Sequence, residues 1–308
     1  MLAKTKYLLQ RAQKGHYAVG HFNTNNLETM QAIISAAVKL NSPIILATSA
    51  GAIDYAGMEY LVCLANTASK LNKIPIALHL DHGRDLKLIK KAIDLGYSSV
   101  MFDGSHLSFE ENIKLTKKVV SWAHQKGVSV EAELGTIGGA EENIISRNII
   151  YTNPLSAQEF VKKTGCDFLA VAIGTSHGAY KFSEKSNLNI ELLTEIKNRV
   201  KIPLVLHGAS TVPLAMVKQA EHYGAKLGHV CGVSNAQLKL AVKHGICKVN
   251  TDTDLRIAFD AGVRKFIKEK PQDFDPRHIL APARATIQQV VEDKIKLLSS
   301  IGKAYSQV

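Results

Sequence analysis

PIALHLDHGRDLKLIKKAIDLGYSSVMF, residues 75 to 102, holds one complete strand–helix–strand unit, the pattern that recurs along the chain. Ile76–Leu80 and Ser99–Phe102 are short and almost uninterrupted in their apolar character, as strands covered on both faces by helices are. Between them Lys87, Lys90 and Lys91 lie along a helical stretch and read as its solvated face. Pro75 stands just before the first strand, where a proline closes a loop without breaking a ladder. Polar residues gather where the strands end, with Asp81 and His82 after the first and Asp103 after the second.

The same unit recurs on both sides. Ala18–Phe22, Ile44–Thr48, Ser129–Leu134, Phe168–Ile173, Leu204–Leu206 and Cys247–Asn250 read as further strands, and Pro43 and Pro203 precede two of them. Asn26–Leu40 carries Leu27, Met30, Ile33, Ile34, Ala37 and Val38 at helical spacing. Ser108–Lys126 opens with Ser108 three residues before Glu111, a capping-box pattern, and Gly127 follows its end. Eight strands alternating with helices and no linker-like stretch predict a single (β/α)8 TIM barrel over residues 1–308. An open doubly wound sheet is the alternative, but no GxGxxG or Walker sequence opens the first helix. The barrel is expected to carry extra C-terminal helices and a long, Gly-rich loop after strand five, from Gly135–Ala140 to about Thr152. The stretch Ser210–Gly245 has room for more than one helix.

Apolar runs such as Ile44–Ala47 and Phe168–Ile173 are far too short to cross a bilayer, so no membrane partner is expected. The basic N-terminus lacks an apolar targeting region, which leads us to expect a cytoplasmic protein. Cys63, Cys166, Cys231 and Cys247 are widely spaced and read as free thiols. The net charge of +11 suits either nucleic acid or small anionic substrates. No basic run interleaved with aromatics occurs, so nucleic acid is not expected as the primary partner.

The decisive pattern is at the strand ends: Asn23, Ser49, Asp81 with His82, Asp103, Glu133, Gly174 leading to His177, His207, and Asn250 with Asp252. A barrel brings all of these to one rim, where such barrels keep their active sites. Each of His82, His177 and His207 is followed by glycine. Three histidines with supporting carboxylates suit a catalytic zinc with an open position. His79 lies two residues before Asp81 on the same strand face and reads as a supporting residue. His16, His124, His222, His229 and His244 fall in helical or turn contexts and receive no role.

His79-Leu80-Asp81-His82-Gly83, Glu131-Ala132-Glu133-Leu134-Gly135, Gly174-Thr175-Ser176-His177-Gly178, Leu206-His207-Gly208-Ala209-Ser210 and Asn250-Thr251-Asp252-Thr253-Asp254 together resemble the signatures of class II fructose-bisphosphate aldolases, in order and over essentially the whole chain. The resemblance implies reversible cleavage of fructose 1,6-bisphosphate in glycolysis and gluconeogenesis, giving dihydroxyacetone phosphate and glyceraldehyde 3-phosphate. It implies zinc on His82, His177 and His207, with Asp103 and Glu133 near a second or displaced metal position. It implies Asp81 as the group exchanging the C4 hydroxyl proton and Glu141 as the loop base, with the neighbouring Glu142 as the one-residue alternative. Gly178, Lys181, Gly208, Ser210 and Thr253 match the site for the dihydroxyacetone phosphate end. Asn250 matches a contact to the carbonyl region and Asn23 one to a nearby hydroxyl. Ser49 and Arg256 match the distal phosphate site, and Asp252 a contact to sugar hydroxyls that supports fructose over tagatose 1,6-bisphosphate. The resemblance also allows a monovalent cation, Na+ or K+, near the first phosphate, and a homodimer or larger assembly. Two rivals fare worse. A Schiff-base aldolase would need a substrate-facing lysine such as Lys248, and would leave three histidines idle. A non-catalytic basic binding protein leaves the rim unexplained.

Overall fold

The computed structural model describes residues 1–141, 144–146, 149–177, 187–228 and 230–305. Eight parallel strands close into a barrel: β1 (Val19–Asn23), β2 (Ile44–Thr48), β3 (Ile76–Gly83), β4 (Ser99–Phe102), β5 (Ser129–Leu134), β8 (Phe168–Val171), β10 (Leu204–Leu206) and β11 (Ile246–Thr251). Three short strands, β6 (Gly138–Glu141), β7 (Ile144–Ser146) and β9 (Ser176–His177), form a separate small sheet. Each strand expected from the sequence is present, four of them with the same bounds. β3 runs three residues further than expected, to Gly83. The prolines act as anticipated: carbonyls of Pro75 and Pro203 accept from Ile44 and Leu169 at 3.1 Å each, continuing the ladder where a proline cannot donate.

The helices begin where their caps place them. Asn26 accepts from the amide of Thr29 at 2.9 Å and starts the helix Leu27–Lys39. Ser108 accepts from the amide of Glu111 at 3.3 Å and starts Phe109–Gln125. Ser210–Gly245 does hold two helices, Leu214–His222 and Asn235–Lys243, and two more, Thr253–Glu269 and Pro276–Leu297, follow the barrel. Outward side chains such as Leu46, Leu78, Val100 and Leu206 pack against the helical layer in one continuous core. Among the described residues, no helix is long and apolar enough to cross a membrane.

Two features were not expected. The helix Thr5–Gly15 lays Leu8, Leu9 and Ala12 against Val19, Ile45, Ala77, Phe168 and Val205, plugging the N-terminal end of the barrel. The connection after β5, read as a loop, folds back as an antiparallel hairpin of β6 and β7, and β6 pairs in parallel with β9, Gly138 opposite Ser176 and Gly139 opposite His177.

Two residues at a time up the strands, the inward-facing positions fill the barrel in layers. The lowest layer is apolar, with Val19, Ile45 and Ala77. The next holds His21, His79, Glu131 and Lys248, all fully buried. Above them come Asn23, Asp81, Glu133 and Asn250, at the C-terminal mouth.

Candidate active site

His82 reaches the mouth through an irregularity. In a regular strand Asp81 and His82 would face opposite sides, one into the barrel and one toward the helices. β3 instead shifts register against β4 between Leu80 and Gly83, an extra residue on the β3 side, and His82 takes a left-handed backbone with φ 45°. Bulges of this kind re-aim side chains, and such backbone conformations gather at functional sites. Both Asp81 and His82 therefore serve the same cavity.

The Nε2 of His82 lies 2.9 Å from the Nδ1 of His207. Behind each ring stands a carboxylate. The Nδ1 of His82 is 3.4 Å from Asp103, and the Nε2 of His207 is 2.6 Å from Glu131. Each ring is thereby fixed to present one particular nitrogen, as metal-ligating histidines are when a carboxylate takes the other N–H. Asp103 is held by Arg84 at 2.9 Å and by the hydroxyl of Ser105 at 2.6 Å. Glu131 is held by the buried ammonium of Lys248 at 2.8 Å. Lys248 also donates to the side-chain carbonyl of Asn250 at 2.8 Å, which turns the Asn250 amide nitrogen toward Asp81 at 3.3 Å. Asn23 donates to the other oxygen of Asp81 at 2.9 Å.

The electrostatics follow from this packing. Burial opposes the charged ring of His82, but Asp81, Asp103 and Glu133 outweigh it and hold the group up at about 10. Burial, aided by the charge on His82, takes His207 down to about 4. Asp81 stays well below the usual carboxylate range, because His21 and His82 outweigh the cost of burying it. Glu133 is pushed the other way, by burial and then by Asp103. Its Oε2 is buried and lacks a hydrogen-bond partner among the described residues. Ligand atoms of Asp81, His82 and His207 lie within 4.8 Å of one another, as do those of His82, Asp103 and Glu133. Two imidazole nitrogens facing each other amid excess carboxylate suit a dication such as zinc.

His177 is described by its backbone alone, on the short strand that the turn after His207 touches. A Cβ added at Gly208, whose φ is +61°, would lie 2.7 Å from the carbonyl oxygen of Ser176, so only glycine lets the turn after His207 touch the strand of His177. Gly208→Ala is expected to cost about 1–3 kcal/mol in urea unfolding, through left-handed strain and this collision. An unchanged midpoint would mean the two segments do not touch as described.

A cavity of about 570 Å³ continues outward from Asn23, lined by Ser49, Tyr55, Asp252 and Arg256 among others. Arg256 grips Asp252 through Nε at 3.0 Å and through its terminal nitrogen at 2.7 Å. Ser49 caps the helix Ala50–Ala56 and accepts from the amide of Ala52 at 3.2 Å. Ser210 is buried on the turn after β10, and Thr253 opens the helix after β11.

The structure thus brings Asn23, Asp81, His82, Asp103, Glu133, His207 and Asn250 to one mouth, with Ser49, Asp252 and Arg256 along its outer cavity. Glu141 contributes a described backbone in β6, and Gly178, Lys181 and Glu142 lie outside the described residues. His21, Glu131 and Lys248 were not anticipated as supports. The signal was present, since each lies two residues before a rim residue on its own strand: Asn23, Glu133 and Asn250.

A family model described as class II fructose-bisphosphate aldolase matches residues 3–303. A fructose-bisphosphate aldolase of Giardia intestinalis is 46% identical over 306 residues, covering 98% of this chain and 94% of that protein. One from Thermus caldophilus is 45% identical over 309 residues, covering 99% and 100%. Among solved structures, the YdjI aldolase of Escherichia coli superposes with a TM-score of 0.81 at 35% identity, covering 99% of this chain and 100% of that one.

Proposed function

The chain belongs to the class II fructose-bisphosphate aldolase family, and from that premise we propose that it cleaves fructose 1,6-bisphosphate reversibly at this barrel mouth with a bound zinc ion. The observation that carries the reading is the facing pair His82 Nε2 and His207 Nδ1, each backed by a carboxylate that fixes the ring. His82, His207 and His177 would hold the ion. Zinc, when bound, polarises the ketose carbonyl as a Lewis acid. Glu133, whose Oε2 has no hydrogen-bond partner among the described residues, and Asp103 would border a second position for the ion, and Asp103 also keeps His82 oriented.

Asp81 takes the C4 hydroxyl proton as the carbon–carbon bond breaks, and returns it in the condensation direction. Asp81 is held ionised by its neighbours, which is the form that can accept a proton. Asn23 and Asn250 orient Asp81 and bind sugar oxygens beside it. Glu141 returns the proton to the dihydroxyacetone phosphate carbon, with Glu142 as the alternative. Gly178, Lys181, Gly208, Ser210 and Thr253 cradle the first phosphate through amides and small hydroxyls. Ser49 and Arg256 receive the distal phosphate, the arginine offering a two-pronged contact. Asp252 bonds the sugar hydroxyls and selects fructose over tagatose 1,6-bisphosphate.

A cytoplasmic homodimer working in glycolysis, with Na+ or K+ near the first phosphate, completes the proposal. The test compares cleavage of fructose and tagatose 1,6-bisphosphate, each with a strong chelator and with zinc restored. Fructose-selective cleavage lost on chelation and recovered with zinc is the expected result. Chelator-resistant cleavage trapped by borohydride would overturn it.

A further inference from the structure

We propose that Lys294, on the C-terminal helix Pro276–Leu297, is a positioning residue for the substrate's first phosphate, acting through Asp254 on the turn Gly208–Val212. The inference rests on the reading above that Gly208, Ser210 and Thr253 bind that phosphate, and extends it to residues outside the cavity.

Asp254 is fully buried on the first turn of the helix Thr253–Glu269. One of its oxygens accepts the amide of Val212 at 2.8 Å. The other accepts both the amide and the hydroxyl of Thr211, each at 3.1 Å. Two successive peptide planes are therefore locked by one carboxylate. The conformation they adopt is not a relaxed one, since Val212 is β-branched and has φ 50°. Such a backbone persists only where its surroundings over-determine it. The carbonyl side is held as well, with Ser210 accepting from the amide of Val233 at 3.1 Å. A Cβ at Gly232 would fall 2.5 Å from the carbonyl oxygen of Thr211, so no other residue lets that segment lie so close.

A buried carboxylate needs a countercharge. Lys294, itself buried, places Nζ 2.9 Å from Asp254 and donates to the hydroxyl of Thr211 at 3.1 Å. Lys294 and Asp254 together join the turn after β10 to the turn after β11. Gly208 and Ser210 lie on the first and Thr253 on the second, so the pair fixes the spacing between two halves of one phosphate cradle. Displacements of about 1 Å in such a cradle can cost up to ~100-fold.

The test uses zinc-loaded protein. The affinity of Lys294→Met for dihydroxyacetone phosphate, measured by calorimetry, is expected to fall about tenfold, with KM for fructose 1,6-bisphosphate rising similarly and kcat changing less than about threefold. Zinc content should be unchanged, and Lys294→Arg should recover most of the affinity. If Lys294→Met does not fold, Thr211→Val removes the hydroxyl link while keeping the ion pair, and a rise in KM is again expected. Unchanged phosphate affinity in variants that merely unfold more easily would overturn the inference. A wild-type protein inactive on fructose 1,6-bisphosphate would sink the functional reading instead, while the calorimetric comparison would still judge the clamp.

Discussion

Replacing Asp81 by alanine is expected to slow cleavage of fructose 1,6-bisphosphate by about 10³-fold while zinc remains bound, within the range for a positioned acid–base group. The structure makes Asp81 a carboxylate site specifically. Its two oxygens accept from Asn23 at 2.9 Å and from Asn250 at 3.3 Å. Neither amide can turn around, because Lys248 occupies the carbonyl of Asn250 and His21 lies 3.0 Å from that of Asn23. Asparagine at position 81 would thus set an NH2 against one donor or the other, and would disturb the site beyond removing the base. Alanine is the cleaner substitution. Zinc content and the unfolding midpoint serve as controls, because a lost metal would counterfeit the effect. A variant that keeps its zinc and loses less than about tenfold in kcat would assign the proton transfer elsewhere.

The same residues show what could be read from the chain and what could not. Strands buried on both faces are near-continuous apolar runs, so Ile44–Thr48, Ser99–Phe102 and Leu204–Leu206 carried their own boundaries. The rim was legible because polar residues end those runs. The bulge at His82 was not, since it is a register relation between β3 and β4 and neither strand carries it alone. The sheet of β6, β7 and β9 was missed for a similar reason: its strands are only two to four residues long and exist through pairing with one another. Lys248 was considered only as a rival nucleophile, whereas its ammonium is committed to Glu131 and Asn250. The partnership of Lys294 with Thr211 spans 83 positions and left no local trace.

His82→Asn is expected to abolish zinc-dependent cleavage while leaving the barrel folded. The left-handed backbone at φ 45° disfavours most side chains, but asparagine is among the residues that adopt it most readily, so the bulge should survive. The imidazole that faces His207 is lost. Removing groups that merely orient a ligand costs about 10–100-fold in metal affinity, so loss of the ligand itself should exceed ~100-fold. Metal titration would read this directly, and thermal unfolding would read it independently. An ion at 100 times its dissociation constant stabilises the native state by about 2.7 kcal/mol, so zinc should raise the melting temperature of the wild type and leave that of the variant unmoved. At neutral pH the metal-free variant should melt below the metal-free wild type, because it loses an imidazolium whose attraction to Asp81, Asp103 and Glu133 outweighs the cost of burying it. A variant that still gains stability from zinc would show that the ion is held without His82, and the pairing of His82 with His207 would then be support for the site instead of its core.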